Sequence, residues 1–145
     1  MTTDVSDKYQ KYSQLDHILL RNDTYIGSVE VATEPHYVLE GEKMVRKDLK
    51  IVPGLFKIFD EILVNAIDQS TNDPLVDKIE VNITETSISI LNTGKGIPIQ
   101  IHSKENIYIP ELIFGELLTS SNYDDSIKRT VGGRNGYGAK LANIF

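Results

Sequence analysis

The sequence predicts a mixed α/β (α+β) fold of two layers, helix on sheet, and three stretches carry that prediction. Residues 55–70, LFKIFDEILVNAIDQS, read as a helix that is apolar round most of its circumference. Its one polar stripe is narrow: Lys57, Glu61, Asn65 and Asp68 lie within roughly 80° of one another at 3.6 residues per turn. Residues 78–84 and 86–91 alternate apolar and polar side chains, with Ile79, Val81 and Ile83 in the first run and Ile88 and Ile90 in the second. A polar turn at Glu85 between them predicts an antiparallel hairpin with one face toward a core. The third stretch, GGRNGYGAK at residues 132–140, is rich in glycine and leads into a further helix.

Taken in order, residues 1–12 are polar and aperiodic and predict a flexible arm, with the folded domain running over 13–145. Ser13 and Asp16 resemble a capping box opening a short helix through Arg21, with Leu15, Ile18 and Leu19 on one side. Asn22-Asp23 predicts a break, followed by an extended segment over 24–28. Tyr37-Val38-Leu39 and Met44-Val45 predict a short hairpin turning at Gly41. Pro53-Gly54 marks the entry to the long helix. The second strand of the later hairpin runs into Asn92-Thr93-Gly94-Lys95-Gly96-Ile97-Pro98, a sharp turn that another group can approach closely. Residues 107–118 predict a helix entered at Pro110. Residues 119–134 have the composition of a surface loop.

Composition narrows the function. The 145 residues contain no cysteine, which excludes disulfides and thiolate metal sites, and His17, His36 and His102 stand far apart without ligand-spaced partners. A net charge of −6 argues against a DNA clamp formed by this stretch alone. No apolar run approaches the roughly 20 residues that span a bilayer, and MTTDVSDKYQ lacks a secretory apolar region, so no membrane partner and an intracellular location are expected.

The stripe suits the wall of a polar cleft, although a solvated helix face would show the same residues. The glycine run suits phosphate, through uncrowded backbone N–H groups at a helix start, although a hinge would also be rich in glycine. It is not a Walker A loop, since Leu141 follows Lys140 where a Ser or Thr belongs, and its G-x-x-G-x-G order is not a dinucleotide fingerprint. One nucleotide site accounts for the stripe, the strand-end turn and the glycine run together. Asn65 with the phosphates suffices for a magnesium ion, and Glu61, one turn earlier, is placed to polarise a water as general base.

These motifs resemble those of the GHKL ATPases, a superfamily with a Bergerat fold that includes gyrase B, MutL, the ninety-kilodalton heat-shock chaperone and the histidine kinases. Glu61-x-x-x-Asn65 resembles the N-box, Asn92-x-Gly94-x-Gly96 the first glycine box, and Gly133-Arg-Asn-Gly-Tyr-Gly-Ala-Lys140 the second. Within it, DKYQK, TYIGSVE, VPGLFKIFDEILVNA, GKGIP, ENIYIPELIFG, LLTSSNYDD and GGRNGYGAKLANIF are together similar to the N-terminal ATPase region of eukaryotic DNA topoisomerase II. The resemblance implies ATP and Mg²⁺ as ligands, Glu61 as the water-activating base and Asn65 as the metal ligand. Asp68 is expected to meet the nucleotide or its waters, and Asn92 the adenine amino group. Ser120, Ser121 and Asn122 would reach ribose and phosphates, and Gly133, Arg134, Asn135, Gly136, Tyr137, Gly138, Ala139 and Lys140 would wrap the triphosphate. Ile97, Ile113 and Phe114 would wall the adenine pocket. Lys57, at the stripe's edge, is expected to face solvent.

The family also implies a nuclear enzyme and a homodimer that closes on binding ATP, with Tyr25 in the arm exchanged between subunits and DNA held by other domains. Asn22 replaces a usual proline, Ile67 a usual alanine and Thr93 a usual Asn or Asp, and Thr130-Val131 reverses the common order. Ile67 is expected to add volume beside the stripe. Phe145 falls before the later strands of the domain and before the transducer, which predicts a fragment of a longer protein, with poor turnover alone. A histidine kinase would need an acceptor-histidine helix upstream of Ser13. A module that senses ATP without hydrolysing it is the non-enzymatic rival.

Overall fold

The computed structural model describes residues 9–119, 132 and 136–145. The chain divides into two compact units, Met1–Leu55 and Phe56–Phe145, with the boundary inside the long helix.

In the first unit, helix α1 (Gln14–Leu20) begins where the capping box predicts. Ser13 Oγ accepts from the Asp16 backbone N–H at 3.1 Å and donates to Asp16 Oδ2 at 2.6 Å. The fully buried Ile18 anchors its inner side. Asn22-Asp23 does not release the chain into an extended segment. It opens a single helical turn, α2 (Asn22–Tyr25), in which the Ile26 N–H reaches the Asn22 carbonyl at 2.9 Å. An exposed Arg21–Asp23 pair at 3.3 Å spans the junction between the helices, which residue-by-residue propensity does not foresee. Tyr25 Oη lies 2.9 Å from His17 Nδ1, its ring edge-on to the imidazole.

The first hairpin is longer than predicted. Strands β1 (Ala32–Glu40) and β2 (Lys43–Ile51) pair antiparallel over nine positions, from Ala32↔Ile51 to Glu40↔Lys43. Ala32, Glu34, His36 and Val38 form the half-buried side of β1. Polar Glu34 and His36 occupy inward positions, so the period of two is not visible in the apolar residues. At the end of this unit the buried Gly54 donates to the Ser28 carbonyl at 2.8 Å. A Cβ there would stand 3.0 Å from Ile26 Cδ1 and 3.2 Å from that carbonyl, so glycine lets the helix start close against residues 26–28.

Helix α3 (Pro53–Asn72) crosses into the second unit and is followed by β3 (Ile79–Ile83) and β4 (Ile88–Asn92). Val81↔Ile90 and Ile83↔Ile88 are direct cross-strand partners, which sets the apolar residues on one face as the alternation predicts. That face is half-buried at Ile79 and Ile90 and opens toward the turn, where Ile83 is 67% exposed. Thr84 closes the turn, its N–H on the Ser87 carbonyl at 2.8 Å and its Oγ1 accepting from the Ser87 N–H at 3.0 Å. Helix α4 (Ile109–Gly115) carries Pro110 in its first turn, as expected, and ends at Gly115 rather than continuing to residue 118. Helix α5 (Gly138–Ile144) lies against α4, with Asn143 Nδ2 donating to the Phe114 carbonyl at 3.1 Å. Among the described residues no helix is long and apolar enough to cross a membrane.

Candidate nucleotide site

The site is built along the polar stripe of α3. Glu61 is half-buried, and its Oε1 pairs with Lys57 Nζ at 2.5 Å, one turn earlier on the helix. The Lys57 side chain is 43% exposed, as expected at the edge of the stripe, and also makes this pair. It holds one oxygen of the candidate base, a role that spacing alone makes available but does not assign. The other oxygen meets the second glycine box. A Cβ on Gly138 would stand 3.0 Å from Glu61 Cδ and 3.4 Å from Glu61 Cβ, and closer still to Oε2. With the carboxylate where it stands, only a residue without a side chain fits against it, so the backbone at the start of α5 is brought directly to Glu61.

A second contact joins the same two segments at Asp68. The Gly132 N–H donates to both of its carboxylate oxygens, at 2.9 and 3.0 Å. The carboxylate of Asp68 thus receives the glycine run itself. Asn65, between Glu61 and Asp68 on the stripe, is an exposed residue. Ile67, expected to add volume beside the stripe, is 47% exposed.

The first glycine box is fastened to the end of the same helix. Asp73, one residue past α3, is 5% exposed. Its Oδ1 accepts from the Leu75 N–H at 3.1 Å and its Oδ2 from the Lys95 N–H at 2.9 Å. These two donors, Lys95 first and Leu75 second, hold the carboxyl below the usual carboxylate range. Gly94, at φ 109°, is wedged beside it: a Cβ would fall 2.7 Å from Val76 Cγ2 and 2.8 Å from Asp73 Oδ2. Thr93 makes its own connection. Its hydroxyl donates to Asp77 Oδ1 at 2.7 Å and accepts from the Asp77 and Lys78 N–H groups at 3.0 and 3.1 Å. The half-buried Asn92 donates through Nδ2 to the Thr93 carbonyl at 2.9 Å.

Lys140 is 4% exposed, and its ammonium donates to the Thr119 carbonyl at 2.6 Å. Burial pushes its pKa below the ordinary lysine value. The lysine that ends the glycine box is thus anchored at the end of the segment that leads into Ser120. Ile113 is half-buried, and Ile97 and Phe114 are partly exposed. Ser120, Ser121, Asn122, Gly133, Arg134 and Asn135 lie outside the described residues; Gly136, Tyr137 and Ala139 join Gly138 and Lys140 at the start of α5. The structure therefore brings Glu61 and Asp68 to the second glycine stretch, and fastens the first glycine turn to the end of α3. Lys57, Asp73 and the side chain of Thr93 are the contributors that sequence reasoning missed.

Residues 51–144 match the family model described as histidine kinase-, DNA gyrase B- and HSP90-like ATPase. The chain is 64% identical over 144 residues to DNA topoisomerase 2 of Saccharomyces cerevisiae, covering 97% of the chain and 10% of that protein. It is 56% identical over 143 residues to DNA topoisomerase 2 of Pisum sativum, again over 97% of the chain and 10% of the relative. The chain thus spans about a tenth of the length of these curated relatives. Among solved structures, the ATPase region of Saccharomyces cerevisiae topoisomerase II matches with a TM-score of 0.92 and 63% identity, over 97% of this chain and 38% of that one. The ATPase and transducer domains of DNA topoisomerase II from Balamuthia mandrillaris match with the same TM-score at 51% identity, over 97% and 37%. Fold, motifs and these likenesses agree, and the chain belongs to the histidine kinase-, DNA gyrase B- and HSP90-like ATPase family.

Proposed function

We propose that this chain is the ATP-binding and ATP-hydrolysing part of a type II DNA topoisomerase, which passes one duplex through a transient break in another. The observation that carries the reading is the apposition of Gly138 and Glu61, which sets a helix-borne carboxylate against the backbone of a phosphate-type glycine run. Glu61 takes the proton from the water that attacks the γ-phosphate, while Lys57 steadies the carboxylate from its other oxygen. The glycine run from Gly133 to Lys140 surrounds the triphosphate, and its backbone donors meet the charge that develops there. Ser120, Ser121 and Asn122 reach ribose and phosphates. Asp68 fixes Gly132, and so the start of that run, to the helix.

The residues fit a magnesium ion of the usual kind. Magnesium keeps several waters and takes few protein ligands, so an ion here would rely on phosphate and water oxygens plus one protein ligand. The exposed Asn65, one turn from Glu61, supplies that ligand through its carboxamide. Magnesium, when bound, neutralises phosphate charge. In this reading ATP binding closes a homodimer around the transported duplex, DNA is held by other parts of the protein, and the enzyme is nuclear.

The test is Glu61→Gln in the full-length protein, which keeps size and removes the base. ATP turnover should fall by about 10² or more, with binding of a non-hydrolysable ATP analogue retained. Unchanged turnover would refute the assignment, and a wild-type protein that binds ATP without turning it over would favour a sensing module.

A further inference from the structure

We propose that Asp73 is a positioning residue for base recognition, holding the first glycine turn so that Asn92 presents its carboxamide oxygen to the exocyclic amine of adenine. The proposal rests on the ATP-site reading above and extends it to a residue outside all three motifs. Asn92 is the last residue of β4, and nothing in a strand end alone fixes which way its carboxamide faces. In this protein the amide is oriented by the peptide immediately after it. Nδ2 donates to the Thr93 carbonyl, and among the described residues no donor reaches Oδ1. Oδ1 is therefore the acceptor that remains. It matches the amino group at position 6 of adenine and mismatches the carbonyl at that position of guanine.

That orientation depends on where the Thr93 carbonyl points, which the residues on either side determine. The peptide joining Thr93 to Gly94 is planar, so the carbonyl follows the setting of Gly94. Gly94 is confined between Val76 and Asp73, and the next N–H, that of Lys95, is held by Asp73 Oδ2. On the other side the Thr93 hydroxyl is bound to Asp77 and Lys78, and its N–H reaches the Lys78 carbonyl at 3.1 Å. The connection between α3 and β3, residues 73–78, thus grips the turn at two points. Asp73 is buried, and its two oxygens divide the work between a local turn at Leu75 and a contact 22 residues away.

This division makes Asp73→Asn a selective perturbation. Asparagine keeps an oxygen for the Leu75 N–H and preserves the local turn, but sets an NH₂ group against the Lys95 N–H, donor to donor. The experiment measures binding of non-hydrolysable ATP and GTP analogues to the full-length protein and to Asp73→Asn, with thermal unfolding in parallel. Wild type should bind the ATP analogue in preference to the GTP analogue. In Asp73→Asn the ATP analogue should bind about tenfold more weakly or worse, as expected for one charge-assisted hydrogen bond, and the ATP:GTP preference should shrink. Thr93→Val, which releases the second grip, should shrink the preference in the same direction and serves if Asp73→Asn fails to fold.

A merely structural Asp73 would lower the unfolding temperature and weaken both nucleotides equally. An unchanged ATP:GTP ratio in both variants overturns the proposal, with or without loss of affinity. If wild type binds neither analogue, the ATP-site reading fails, a result separate from any effect of the two substitutions.

Discussion

Gly138→Ala is expected to separate catalysis from folding. The backbone at Gly138 lies outside the left-handed region, so alanine incurs no φ penalty, and as the first residue of α5 it gains up to about 1 kcal/mol in helix propensity. The added Cβ is nonetheless placed 3.0 Å from Glu61 Cδ. Ordinary contact between carbon atoms is about 3.5–4.0 Å, so the carboxyl carbon must retreat by about 0.5–1 Å, and Oε2, which lies nearer still to the added Cβ, by about 1 Å or more. The retreat is accessible because Glu61 is a flexible side chain, and it pulls against the Lys57 pair that fixes the other oxygen. A displacement of about 1 Å in a reacting group costs on the order of 10²-fold in rate. The predicted variant is folded, with a thermal midpoint within a few degrees of wild type, and with kcat for ATP reduced far more than affinity for an ATP analogue. Steady-state ATPase kinetics, analogue titration and a thermal melt on the same preparation measure all three. Wild-type kcat in a folded Gly138→Ala protein would refute the reasoning, because the carboxylate would then not need the position that glycine leaves for it.

Two further outcomes concern the first glycine turn. Gly94→Ala forces a side chain onto φ 109° and into Val76 and Asp73, which should cost about 2–4 kcal/mol from backbone strain and overpacking together; a urea titration that finds no loss would contradict the geometry. Asp73 has a folded-state pKa below its ordinary value of 3.8, so its contribution to stability is complete above that value and is lost as pH falls through the folded pKa. Thermal midpoints measured below about pH 4 should therefore fall more steeply in wild type than in Asp73→Asn, and parallel curves would remove the buried carboxylate from the account.

Much of the candidate site was legible because its residues follow helical period and glycine spacing. Glu61, Asn65 and Asp68 share a face by arithmetic alone, and the close approach of Gly138 to that face is the reason for a glycine there. The long helix, the second hairpin and the capped start at Ser13 were likewise readable from period and capping. The turn of helix at Asn22 was not, since it depends on four residues of low propensity and an exposed ion pair. The length of the first hairpin was hidden because Glu34 and His36 occupy inward positions and break the apolar alternation. Asp73 escaped for a different reason: a carboxylate in a polar connection reads as solvated, and only the fold shows it buried against a backbone N–H 22 residues later. Lys57 escaped because an i, i+4 pair on a helix is usually surface decoration, and here its partner is the candidate base.

The most direct measurement of the central claim is calorimetric titration of a non-hydrolysable ATP analogue, with and without Mg²⁺, into the full-length protein and its Asn65→Ala variant. If the stripe of α3 is the metal-side wall of an ATP pocket, wild type binds the analogue more tightly with Mg²⁺ than without, and Asn65→Ala keeps the metal-free affinity while losing the Mg²⁺ increment. No binding to wild type at saturating Mg²⁺, or a full Mg²⁺ increment in Asn65→Ala, would contradict it.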